Sequence, residues 1–117
     1  LRVIRSGADY RVELDDGPRV SGHKPSVDVM FQSVAEAVGA NALAVILTGM
    51  GKDGAFGIRS IAQQGGYTIA QDEETSLIFG MPQEAIKTGA VKKVVPLDKV
   101  SQHLIDVLNQ MGKDYRI

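Results

Sequence analysis

The sequence predicts an α/β domain built on part of a doubly wound, mostly parallel sheet, with a β-hairpin at its N-terminal end. Three observations carry this. Ala42-Leu-Ala-Val-Ile-Leu47 is apolar throughout without alternation, the pattern of a strand covered on both faces. A glycine-rich turn, a helical stretch and a second apolar run, Tyr67-Thr-Ile-Ala70, follow it in the order strand, helix, strand, for which a right-handed parallel crossover is expected. Upstream, Val27, Met30, Phe31, Val34, Ala35 and Val38 recur at helical spacing and form one continuous apolar stripe.

In chain order, Leu1–Arg5 and Tyr10–Leu14 alternate in part around Ser6-Gly-Ala-Asp9, a hairpin that exits through Asp15-Asp-Gly17. A loop from Pro18 to Pro25 carries His23. Ser26 reads as the N-cap of the first helix, and Asp28 lies in its first turn, where the helix dipole favours a carboxylate; Gly39 closes it. After strand 42–47 comes the turn Thr48-Gly-Met-Gly-Lys-Asp-Gly54. A helix over Ala55–Gln64 then presents Phe56, Ile58, Ile61 and Ala62 as its apolar face and stops at Gly65-Gly66. Residues 71–90 read as an irregular polar stretch with short helical pieces, one starting at Pro82 and ending at Gly89. Val91–Val95 is a last short strand. Asp98 is expected to cap a terminal helix whose apolar positions are Val100, Leu104, Val107, Leu108 and Met111, with His103 on its surface.

Only three parallel strands are predicted, and the most apolar is the first. Such a strand normally has a neighbour on each edge, because an exposed apolar edge invites aggregation. Sheet partners are therefore expected from residues N-terminal to Leu1 or from another chain. A start at Leu1 rather than Met points the same way, to a piece of something longer.

Composition narrows the function. A chain of 117 residues has room for one domain. Thirteen Lys+Arg against fourteen Asp+Glu leave a net charge of −1, without the basic footprint of a nucleic-acid binder. The absence of cysteine excludes a disulfide framework, a thiolate nucleophile and a Cys-ligated zinc site. No apolar run approaches the roughly 18 residues that span a membrane and no signal peptide opens the chain, so a soluble, cytoplasmic protein without membrane insertion is expected. Glycine is the oddity, with thirteen residues where average usage gives about eight.

Several of those glycines form Gly49-Met-Gly-Lys-Asp-Gly54, which satisfies G-x-G-x-x-G between a strand and a helix, with Asp72 near the offset at which a dinucleotide fold places its ribose carboxylate. Against that reading, Asp53 would set a carboxylate at the helix N-terminus where a pyrophosphate would need the amides. A second reading makes Asp53 the functional group, held rigidly by the N-terminal amides at the carboxyl ends of the strands, where ligand crevices form. A third makes Asp53 an ordinary capping residue of a non-catalytic interaction domain.

The surrounding residues favour the second. Ile46-Leu-Thr-Gly-Met-Gly-Lys-Asp-Gly-Ala55, at the first turn of the Rossmann-like, doubly wound sheet predicted above, resembles the LTGMGxDGA signature of the catalytic domain of the chemotaxis protein-glutamate methylesterase and protein-glutamine glutaminase family. Lys24-Pro-Ser-Val-Asp-Val-Met-Phe31, and Ala70-Gln-Asp with Ser76-Leu-Ile-Phe-Gly-Met-Pro82 and Ala85-Ile86, agree as well, in order and nearly end to end.

The resemblance implies a serine nucleophile, a histidine and an aspartate that hydrolyse glutamate methyl esters on the cytoplasmic helices of chemotaxis receptors, releasing methanol, and deamidate particular receptor glutamines. Asp53 matches the triad aspartate. Met50 matches the residue whose backbone N–H serves the oxyanion hole, in a turn shaped by Gly49, Gly51 and Gly54. His23 matches a histidine near the active-site cleft that is not the triad histidine. Such chemistry implies no metal and no organic cofactor. The chain departs from the family in lacking the G-[AS]-S-[AT]-GG nucleophile turn, the triad histidine and the receiver domain. It is therefore expected to be the C-terminal part of a methylesterase catalytic domain and inactive alone. Its expected partners are the missing part of its own domain, the receiver domain, and a second copy through the exposed sheet edge.

Overall fold

The computed structural model describes residues 2–7, 9–13 and 27–111. Strands β1 (Arg2–Ser6) and β2 (Asp9–Glu13) form an antiparallel hairpin in the register Arg2 opposite Glu13. Helix α1 (Val27–Val38) follows, then β3 (Leu43–Ile46), α2 (Ala55–Gln63), β4 (Tyr67–Gln71), α3 (Gly80–Lys87), β5 (Lys93–Val95) and α4 (Val100–Gln110). The second sheet is parallel, in the order β3-β4-β5, with Leu43 beside Tyr67 and Ile69 beside Lys93. The α/β class expected from the strand, helix, strand pattern is thus observed, with the hairpin as a separate sheet.

The centre of the parallel sheet is β4, where Thr68, Ile69, Ala70 and Gln71 are all buried. The more apolar β3 is half-buried on alternate residues and Leu47 beyond it is exposed, so among the described residues only one face of β3 is fully covered. Among the described residues β3 pairs only with β4. The core is formed by Ala35, Ile46, Ile58, Ile61, Ala70 and Ala85 with neighbouring small residues, and Phe31, Val34 and Val38 of the predicted stripe pack against it. The hairpin is tied to α1 by the Val3 N–H, which donates to Ser33 Oγ at 2.7 Å.

Four local expectations are corrected. Phe56 is exposed, and the residue α2 buries in that turn is Gly57, because α1 crosses so near that a Cβ there would lie 2.4 Å from the Phe31 Cβ. Helix α3 begins at Gly80, so Pro82 is its third residue; no hydrogen bond is lost, because the first four amides of a helix have no partner within it. Asp98 does not cap α4: it lies inside a 3₁₀ turn, Leu97–Lys99, and no side chain caps either segment. His103 is half-buried, its Nε2 3.2 Å from the Tyr67 hydroxyl. Ser26 and the 14–26 loop lie outside the described residues.

Candidate active site

The glycine turn leaves the carboxyl end of β3, the position at which α/β sheets open their crevices. Gly51 and Gly54 adopt φ of +91° and +99°, the left-handed region that side-chain-bearing residues rarely enter. Between them Asp53 folds inward and is 5% exposed, far below the norm for a carboxylate.

Its hydrogen bonds differ from the expectation. Asp53 is held by helix N-terminal amides, but those of α1 rather than of the helix it precedes: Oδ2 accepts from the Val27 N–H at 2.8 Å and Oδ1 from the Asp28 N–H at 3.0 Å. Helix α2 in turn has Gly54 at its N-cap and no side chain of its own to cap it. Asp28 supplies the missing acceptor, its Oδ1 taking the Gly54 N–H at 2.9 Å and the Gly57 N–H at 2.8 Å. Each helix is therefore capped by the aspartate of the other. Both carboxylates sit at positive helix ends, which is what makes two buried acidic groups so near each other stable.

The oxyanion candidate is placed by a different segment. The Gly49 N–H donates to the Ile78 carbonyl at 2.9 Å and the Met81 N–H donates to the Gly49 carbonyl at 2.8 Å. Thr48 Oγ1 donates to the Ile78 carbonyl at 2.9 Å and accepts from the Ile78 N–H at 2.8 Å. Fully buried Gln71 accepts the Thr48 N–H through Oε1 at 2.8 Å and donates through Nε2 to the Thr75 carbonyl at 2.8 Å. A Cβ on Gly80 would lie 2.9 Å from the Gly49 carbonyl oxygen and 3.0 Å from the Gly51 nitrogen, so this close approach requires glycine. In the turn so clamped, the Met50 side chain is 75% exposed, and its N–H makes no hydrogen bond among the described residues.

Asp53 and Met50 with Gly49, Gly51 and Gly54 thus share one turn, while His23 lies outside the described residues. Sequence reasoning missed Asp28, Gln71, Thr48 and Gly80 as parts of this turn's support. The signal available was membership in the two auxiliary stretches for Asp28, Gln71 and Gly80, and in the signature itself for Thr48. Asp72, the candidate ribose carboxylate, is engaged locally instead, accepting from the Thr75 hydroxyl at 2.6 Å. The α2 amides that a pyrophosphate would require are bonded to Asp28. No group of three or more metal-ligating side chains occurs among the described residues, and no helix there is long and apolar enough to cross a membrane.

The domain is thus an α/β sheet with a buried carboxylate, Asp53, in the same strand-to-helix turn as the Met50 N–H. The model of the CheB methylesterase family matches residues 2–104, and the chain belongs to that family. It is 52% identical over 114 residues to protein-glutamate methylesterase/protein-glutamine glutaminase 2 of Shewanella oneidensis, covering 97% of this chain and 32% of that protein. With the protein of the same name from Pseudomonas aeruginosa it shares 49% identity over 117 residues, covering all of this chain and 34% of that protein. The crystal structure of the Thermotoga maritima CheB methylesterase catalytic domain superposes with a TM-score of 0.88 at 35% identity, covering 91% of this chain and 56% of that one. The chain therefore spans about a third of the length of these curated relatives.

Proposed function

We propose that this chain is the C-terminal part of a methylesterase catalytic domain that hydrolyses glutamate methyl esters, and deamidates glutamines, on the cytoplasmic helices of chemotaxis receptors. The observation that carries the proposal is the buried Asp53 carboxylate, oriented by two amides in the same turn as the Met50 N–H. In the proposed mechanism a serine attacks the ester carbonyl, an imidazole takes the serine proton and gives it to the leaving methanol, and Asp53 accepts the second imidazole N–H. That bond sets the tautomer and stabilises the imidazolium; in serine proteases, losing this carboxylate function lowers turnover by about 10⁴. A water, deprotonated by the same imidazole, then cleaves the acyl-serine to the free glutamate, and the proton returns to the serine. The Met50 N–H donates to the developing oxyanion, a contact typically worth about 3–4 kcal/mol in the transition state.

The serine and the triad histidine belong to the preceding part of the domain, and a receiver domain regulates the whole. His23 lies on the substrate side of the cleft. Triad residues act as a unit, so the chain alone has no methylesterase activity. The experiment is methanol release from methylated receptor, with the chain alone and with the N-terminal part of the domain added. Methanol is expected only from the mixture, and robust release by the isolated chain would refute the assignment. A dinucleotide module is disfavoured by the Asp28 carboxylate on the α2 amides; an unchanged melting temperature with NAD present is the corresponding expectation.

A further inference from the structure

We infer that Asp28 is a positioning residue for the proposed reaction, acting through Asp53 and the turn that carries it; this rests on the methylesterase reading above. Asp28 is 5% exposed, and its carboxylate serves a helix other than its own. One of its two bonds goes to the Gly54 N–H, which belongs to the peptide unit joining Asp53 to Gly54. That bond fixes the backbone from which the Asp53 side chain springs. The return contact, from the Asp28 N–H to Asp53 Oδ1, closes a ring in which Asp53 is anchored by the amide of Asp28 and Asp28 by the amide of Gly54, next to Asp53.

The ring defines the position of Asp53 in two ways, by the peptide behind it and by the amides in front of it. Without the Asp28 carboxylate, the buried Gly54 and Gly57 amides lose their acceptor and the Asp53–Gly54 peptide loses the bond that fixes its N–H. Gly54, at φ +99°, has no side chain with which to hold that peptide in place. The triad carboxylate then moves relative to the imidazole it must meet, and a misplacement of about 1 Å is enough for a ~100-fold loss of rate. Asparagine at 28 keeps an acceptor oxygen of the same shape, whereas alanine keeps nothing.

The test is a double-mutant cycle in the full-length enzyme, with methanol release from methylated receptor as the readout. Asp28→Ala is expected to lower kcat by ~100-fold with KM within ~3-fold, and Asp28→Asn to restore kcat to within ~5-fold of wild type. In an Asp53→Asn background, Asp28→Ala is expected to lower kcat by no more than ~3-fold further, because its effect passes through Asp53. Amide exchange at Gly54 and Gly57 is followed alongside and is expected to accelerate in Asp28→Ala but not in Asp28→Asn. Losses that multiply in the double variant, or unchanged exchange at both glycines, overturn the inference and leave the proposed function standing. Wild-type kcat in Asp53→Asn alone refutes the proposed function itself.

Discussion

Gly57→Ala distinguishes a helix interface from a helix surface by the sign of its effect. At a solvent-facing helix position, alanine in place of glycine stabilises by about 1 kcal/mol. At Gly57 the added Cβ would lie 2.4 Å from the Phe31 Cβ and 3.3 Å from both the Asp28 Cα and its Oδ1. Carbon atoms rest about 3.5–4.0 Å apart, so α1 and α2 must separate by more than about 1 Å. A Cβ moves with the backbone, so no rotation of Phe31 relieves the contact. Overpacking of this kind costs about 1–3 kcal/mol, and the separation also stretches the bonds of a buried carboxylate, each worth about 1.5–3 kcal/mol. Against the propensity gain, the net expectation is a destabilisation of about 2–4 kcal/mol. Urea denaturation followed by far-UV circular dichroism at low micromolar concentration measures it. A midpoint equal to or above that of the wild type would show that the two helices are not interlocked as described.

Gly80→Ala brings a Cβ to within 2.9 Å of the Gly49 carbonyl oxygen and should push the Met50 amide off its position, lowering kcat of the full-length enzyme by about 10²-fold with far-UV circular dichroism unchanged; full activity refutes the clamp. Gln71→Leu fills the same buried space but leaves the Thr48 N–H without its acceptor, for an expected loss of about 1–3 kcal/mol in thermal unfolding. The edge of β3 that is unpaired among the described residues should make the isolated chain self-associate, and a monodisperse monomer by light scattering at high concentration would count against it.

Much of this fold was legible because its rules are local. The α1 stripe, the stops at Gly39, Gly65 and Gly89, and the strand, helix, strand order around residues 43–71 depend on spacings within one turn or one pleat, and the structure keeps them. The errors fall where packing overrode local preference. Phe56 has the apolar character of a core residue, yet the approach of α1 admits only a hydrogen at the neighbouring position, so Phe56 faces solvent and Gly57 faces the core. Asp98 has a capping side chain, but the 3₁₀ turn places it inside the segment rather than before it. Strand order among the described residues, with β4 between β3 and β5, is a property of pairing and was not legible from composition.

The candidate site divides along the same line. The turn, its glycines, Asp53 and Met50 are contiguous in the chain, so sequence alone was sufficient to mark them and to indicate the family. Which amides Asp53 accepts was decided only by tertiary structure, since Asp28 lies 25 residues away and reaches the turn because two helix N-termini meet. The physical reason is that a helix end presents unsatisfied amides whatever its sequence, and the acceptor that meets them is whichever carboxylate the packing of another helix delivers.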